Sequence, residues 1–312
     1  MLQVNWLLFH TARAFLGLVQ ALPLEVVARI GRWGGGVAWH LDRRHRRVAL
    51  GNLERVFGSE KSVAERTAIA RENFRRLGEN YLCALKTAAM SPEALRERVE
   101  WSGFREKLPR DGRSAIGAIG HFGNFELFAR IRDEAPGWTA ATTYRALRQP
   151  GLDRVFQKLR EQSGTLFFER RTEGEQLRQA MGRGRVLLAL LSDQHAGDRG
   201  AWLPFLGQPC SCSTACAVLA LRYDAVLGSA ICYRVGLARW RLEVGDVIPT
   251  RNDDGTTREI EDITRDINSA LEAAVRKDPA NWFWVHRRWK PPSKWQAARE
   301  PDSSSGPGTM QS

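Results

Sequence analysis

Ser114-Ala115-Ile116-Gly117-Ala118-Ile119-Gly120-His121-Phe122-Gly123-Asn124-Phe125-Glu126 passes from an apolar run through a glycine turn into a helix start, with two ionisable groups at the turn. From Ser114 to Ile119 small residues alternate with isoleucine, as expected of a short strand buried inside an α/β sheet. Gly120 and Gly123 supply permissive backbone, and Asn124 suits the N-cap of a helix expected over residues 125–132. On an unbroken helix His121 and Glu126 would point roughly 140° apart and could not meet. The turn removes that constraint, and the Glu126 carboxylate is expected to fold back onto one imidazole nitrogen, leaving the other outward. An imidazole held in one tautomer is a general base for a hydroxyl or amine. The competing reading is a histidine that satisfies a loop and a glutamate that complements a helix dipole.

Outward from this stretch, strands and helices alternate. Strands are expected at 114–119, 139–144, 165–168, 186–191 and 226–233, with helices at 152–162, 174–181, 214–223 and 257–277 and a possible edge strand at 239–244. The alternation predicts an α/β fold with a mostly parallel central sheet and helices on both faces. Three parts follow: N-terminal amphipathic, membrane-associated helices over 1–45, an α/β domain over 46–290, and a tail over 291–312 whose Ser303-Ser304-Ser305-Gly306-Pro307-Gly308 composition predicts disorder.

The 312 residues can bury a sizeable core, and 47 Lys and Arg against 35 Asp and Glu leave a net charge of +12. Such a balance implies an acidic partner: nucleic acid, anionic lipid or an acidic carrier protein. The arginines are dispersed and no nucleic-acid-binding motif is present, which argues against the first. Five cysteines, an odd and clustered set, favour a reducing compartment. The C-x-C-x3-C spacing of Cys210, Cys212 and Cys216 matches no familiar zinc knuckle, so no metal is expected.

In residues 1–22 the polar Gln3, His10, Arg13 and Gln20 fall with Gly17 along one stripe, which makes an amphipathic helix with a wide apolar face. Arg13 near its middle would cost about 2.5–3.5 kcal/mol at a bilayer centre, so a helix lying in the interface is expected over one that spans. A second helix pattern after Pro23 is interrupted by Gly34-Gly35-Gly36. Arg43, Arg44, Arg46 and Arg47 then read as a patch for anionic head groups, or else as a solvated helix face. Ser62 and Glu65 form a capping-box pattern opening a long helix.

Gly120-His121-Phe122-Gly123-Asn124-Phe125-Glu126 resembles the H-x4-D/E block of the lysophospholipid acyltransferase superfamily, in the branch of bacterial lipid A biosynthesis (late) acyltransferases. Further blocks follow in order. Tyr144-Arg145-Ala146-Leu147-Arg148-Gln149-Pro150 resembles the family's Y-R-P-x-x-N-P, departing at Ala146 and Gln149. Phe168-Glu169-Arg170-Arg171 matches a point where the family carries a functional arginine, with Arg170 and Arg171 both candidates. Ser192-Asp193-Gln194-His195-Ala196-Gly197 and Trp202–Pro209 resemble its D-Q-x-x-G turn and P-F-F-G segment. Asp193 is expected to orient an arginine or to bind through its turn, or is simply a turn residue. Pro279-Ala280-Asn281-Trp282-Phe283-Trp284-Val285-His286-Arg287-Arg288-Trp289-Lys290 resembles the ending of this branch. Its Trp282, Trp284 and Trp289 with Arg287 and Arg288 suit a membrane interface, or alternatively close the core.

The resemblance implies an acyltransferase with a fatty acyl thioester donor, on acyl carrier protein or coenzyme A, and a glycolipid hydroxyl acceptor such as a lipid A precursor. In that mechanism Glu126 orients His121 as base, the backbone amides of Gly123 and Asn124 are oxyanion candidates, and Arg145, Arg148, Arg170, Arg171, Asp193 and Gln194 bind substrate. No cofactor follows beyond the acyl co-substrate. The changed blocks also admit a phospholipid, aminolipid or phosphatidylinositol mannoside acceptor, or a non-catalytic lipid-binding homologue. A serine hydrolase would want G-x-S-x-G, which does not occur, and a cysteine nucleophile is the remaining enzymatic rival. The expected location is the cytoplasmic face of the bacterial inner membrane.

Overall fold

The computed structural model describes residues 2–146 and 149–292; Arg148 and the tail beyond 292 lie outside the described residues. Four helices lead the chain: α1 (Leu2–Ala21), α2 (Leu24–Leu41), α3 (Arg43–Phe57) and α4 (Val63–Thr87). The expected boundary near residue 45 falls inside α3. Ser62 and Glu65 form the capping box that starts α4.

The glycine triplet does not interrupt α2. A Cβ on Gly35 would collide with the carbonyl of Phe74, and one on Gly78 with that of Gly31. These glycines let the backbones of α2 and α4 touch, contacts that offset the roughly 1 kcal/mol each costs in a helix interior.

After α5 (Pro92–Arg96) come β1 (Val99–Ser102), β2 (Ala115–Ile119), β3 (Thr139–Tyr144), α6 (Pro150–Glu161), β4 (Leu166–Glu169), α7 (Gly174–Gly182) and β5 (Val186–Leu191). A hairpin of β6 (Ala201–Phe205) and β7 (Gln208–Cys212) precedes α8 (Ala215–Arg222), β8 (Val226–Gly236), β9 (Arg239–Val247) and α9 (Ile260–Lys277). The main sheet has seven strands in the order β1-β9-β8-β2-β5-β3-β4. Its pairs are parallel except β8 with β9. The strand at 239–244, expected at an edge, is covered by β1, which pairs with it in parallel.

β2 and β5 sit centrally and are apolar throughout, because both faces of the sheet are covered. Ile116, Leu188 and Leu227 pack on one face with Ala217, Ile267 and Leu271 of α8 and α9. Ile119, Ala230 and Trp240 pack on the other with Val27, Cys83 and Leu127. Among the described residues no helix is long and apolar enough to cross a membrane.

Candidate active site

The parallel register of β2 and β5 builds the site. Ile119 pairs with Leu191, and the chains leaving these carboxyl ends carry His121 and Asp193, each two residues further on, to the same place. Carboxyl ends of parallel strands are where such sheets expose ligand-binding groups.

Asp193 is buried and accepts three hydrogen bonds. His121 Nδ1 lies 2.8 Å from Oδ1, while the His121 backbone N–H donates to Oδ2 at 2.8 Å and Trp282 Nε1 to the same oxygen at 2.9 Å. Burial alone would raise its pKa, but the His121 charge and the hydrogen bonds from His121 and Trp282 overcome that and hold the carboxyl at about 2. An ionised carboxylate only accepts, so Nδ1 is the protonated nitrogen facing it, and in the neutral imidazole the lone pair is on Nε2. Phe125 edge-on at 4.7 Å and Phe283 stacked at 5.4 Å, centroid to centroid, confine the ring.

The carboxylate expected on the imidazole was that of Glu126, and the structure puts Asp193 on Nδ1 instead. Glu126 is the second residue of a continuous 3₁₀ stretch, Phe125–Glu134, where an α-helix was expected. It lines two crevices that both include His121. One, of about 250 Å³, runs beside Thr142, Tyr144, Arg145 and Phe167; the other, smaller, lies against Tyr81 of α4. Tyr81 keeps 48% of its surface exposed, yet partial loss of water around its hydroxyl, then the nearby charges of Glu126 and Asp193, pushes the phenol up to about 12. Tyr81 lies within a long amphipathic helix whose sequence carries no mark of a site.

Of the two oxyanion candidates, Gly123 has its N–H engaged, donating to Asn281 O at 3.2 Å. The Asn124 side chain caps nothing; its Nδ2 donates to Thr87 Oγ1 at 3.2 Å. Gln194 does reach the site, its Nε2 lying 3.3 Å from His121 Nε2. Arg145 is exposed at the rim of the larger crevice. Arg170 is brought beside it by donating its backbone N–H to Tyr144 O at 3.1 Å, and Arg171 follows, with both side chains exposed.

The C-terminal aromatics close the core and do not face lipid. Trp282, Trp284 and Trp289 are buried, and Arg288 is fully so, donating to Ser211 O at 2.5 Å and to Cys212 Sγ at 3.1 Å over the Phe205 ring. Only Arg287 of the proposed head-group residues in this segment is exposed. Asn73 and Asn52 tie the segment down, donating to the carbonyls of Trp282 and Trp284 at 2.5 and 2.8 Å. The segment thus forms a floor that holds Asp193 through Trp282. Of the basic run, Arg43, Arg44 and Arg47 are exposed, whereas Arg46 donates to Trp39 O and lies over its ring.

All five cysteines are buried and without disulfides, so Cys210, Cys212 and Cys216 are poorly placed as nucleophiles. The neighbouring Cys210 thiol and then, against burial, the Arg288 charge push the Cys212 thiol below its ordinary value. Among the described residues no cluster of His, Cys, Asp and Glu could hold a metal ion.

The sequence pattern of the bacterial lipid A biosynthesis acyltransferases matches residues 2–291. The chain is similar to the lipid A biosynthesis myristoyltransferase of Escherichia coli and the lipid A biosynthesis acyltransferase 1 of Shigella flexneri, 26% identical over 182 residues in each case. That stretch covers 58% of this chain and 54% of each relative, so the chain spans about half of their length. With the lipid A biosynthesis acyltransferase of Haemophilus influenzae it is 24% identical over 303 residues, 91% of this chain and 90% of the relative. The match to the family runs from the first helix through the segment that floors the site, and the chain belongs to the bacterial lipid A biosynthesis acyltransferase family.

Proposed function

We propose that the protein transfers a fatty acyl group from an acyl thioester, carried by acyl carrier protein or coenzyme A, to a hydroxyl of a glycolipid such as a lipid A precursor. The observation that carries this is the buried Asp193 on His121 Nδ1, which leaves Nε2 as the nitrogen for proton transfer in a ring that lines both crevices. His121 Nε2 takes the proton of the acceptor hydroxyl as its oxygen bonds to the thioester carbonyl carbon. The tetrahedral adduct then collapses with cleavage of the C–S bond, and the imidazolium returns the proton to the departing sulfur. No acyl-enzyme forms.

Asp193 stabilises the imidazolium and holds its tautomer, and Glu126 adds negative charge to the same pocket. With the Gly123 amide engaged, the Gln194 amide beside the imidazole is a donor for the oxyanion. Arg145, Arg170 and Arg171 suit phosphates of acceptor or donor, since each guanidinium offers a bidentate fork. The named activities of the relatives support a lipid A acceptor.

The protein acts from the cytoplasmic face of the bacterial inner membrane, lying on it. Exposed Trp6, Phe15 and Leu18 of α1 and Trp33 of α2, together with Arg43, Arg44 and Arg47, support this.

The test is mass spectrometry of acceptor lipids incubated with an acyl thioester and either wild type or His121→Ala. An acceptor heavier by one acyl group, made only by wild type, is expected. An equal yield from the variant would remove His121 as the base, and no product from folded wild type with any acceptor would remove acyl transfer.

A further inference from the structure

One stripe of α4 lies against the site. Leu77, Tyr81 and Ala84, spaced four and three residues apart and so on one helix face, line the smaller of the two crevices at His121. Asn124, Glu126 and Phe283 line it with them. Tyr81 is half-exposed, so the crevice reaches the surface along α4. Its hydroxyl makes no hydrogen bond among the described residues. The buried Oδ1 of Asn124 also lacks a partner. Buried polar atoms are normally paired, and an orphan beside a reactive histidine marks a place for a ligand's donor.

Three properties decide what fits. The crevice has about 10 Å³ of room. That is roughly what one water needs, so it seats one small group and excludes a phosphate or a chain. The charges of Glu126 and Asp193 reach the phenol, so an anion in this place is repelled. The phenol, pushed up to about 12, stays protonated near neutral pH and acts as a donor. Asn124 Oδ1 and the imidazole Nε2 are acceptors, which favours a group with a proton to give over an ether or a carbonyl. A neutral hydroxyl satisfies all three.

We propose that this crevice seats the reacting hydroxyl of the acceptor and that Tyr81 is the residue that binds it. This rests on the acyl-transfer reading above. The Tyr81 O–H donates to one lone pair of the hydroxyl oxygen. The second lone pair forms the bond to the thioester carbonyl carbon, while the hydroxyl O–H bond breaks and its proton passes to His121 Nε2. The phenol keeps its own proton throughout. Tyr81 thereby fixes the direction of attack and selects a hydroxyl over an ionised group.

The test adds a lipid A precursor in detergent micelles to the full-length protein labelled with 13C at the tyrosine ζ carbon. The chain has four tyrosines, and the Tyr81 signal is the one lost in Tyr81→Phe. That signal is expected to move when the precursor is added. In acyl transfer, Tyr81→Phe is expected to raise the Michaelis constant for the acceptor about tenfold, the effect of one lost hydrogen bond, and to leave that for the thioester unchanged. Ala84→Leu fills the crevice from the next turn of α4 and is expected to act in the same direction, which serves should Tyr81→Phe not fold. An unchanged acceptor constant in folded variants, or one that rises equally with the thioester constant, overturns the proposal. A Tyr81 signal moved by the precursor, with no product from wild type, would keep the hydroxyl seat and remove the proposed reaction. An unmoved signal with no product would remove both.

Discussion

Asp193 Oδ1 lies 2.8 Å from His121 Nδ1, and both residues stand two positions beyond paired ends of adjacent parallel strands. Asp193→Asn keeps the shape but offers an amide in place of the carboxylate, which frees the other tautomer. The rate is expected to fall on the order of 10⁴-fold with little change in lipid binding. Glu126→Gln leaves Nδ1 protonated, so the low-field Nδ1 proton of His121 in an NMR spectrum should survive Glu126→Gln and vanish in Asp193→Asn. Its persistence in both variants would exclude Asp193 as the group holding the tautomer.

Trp282 donates to Asp193 Oδ2 from the floor of the site. Trp282→Phe removes that donor from a buried carboxylate, at a cost of about 1–3 kcal/mol. Both the unfolding midpoint and the rate constant should drop, whereas the Michaelis constant for the acceptor should hold. A stability loss without any rate change would mark Trp282 as packing alone.

Arg288 is fully buried, with Ser211 O and Cys212 Sγ as acceptors and its Nε without one. Arg288→Ala empties this place and leaves the Ser211 carbonyl and the Cys212 sulfur without their donor, a cost of about 1–3 kcal/mol for each buried acceptor left unpaired. Denaturant titration should show that loss. A stable variant with weakened lipid binding would return Arg288 to the membrane surface.

His286 accepts the His195 N–H at 3.1 Å through Nε2. Burial first, with Arg288, His121 and His195 adding to it against Asp193, pushes its pKa down from 6.5 to about 4. Between those values the unfolded chain binds a proton that the folded protein refuses, so stability falls as pH drops through that window and levels off below it. Allowing for partial exposure, the loss is about 1–2 kcal/mol. His286→Gln should flatten this part of the stability curve, as read from thermal midpoints at each pH.

Trp6 and Trp33 expose apolar rings on α1 and α2. Replacing both with glutamate should lower binding to anionic vesicles in a flotation assay by roughly tenfold or more, while the melting temperature moves little. Undiminished flotation would shift the contact to Arg43, Arg44 and Arg47.

Local patterns were enough for much of this protein. The isoleucine and small-residue alternation of β2, the apolar run of β5, the capping box of α4 and the histidine at a glycine turn each depend on residues close along the chain. Strand order and register depend on residues far apart. They decided that Asp193, seventy-two positions away, would face His121, and that the Trp282–Trp289 segment would be swallowed by the core. A tryptophan beside an arginine has the same local chemistry at a lipid surface and in a packed interior. Only the folded partners, a carbonyl, a thiol and a buried carboxylate, distinguish the two, and they are assembled by the sheet.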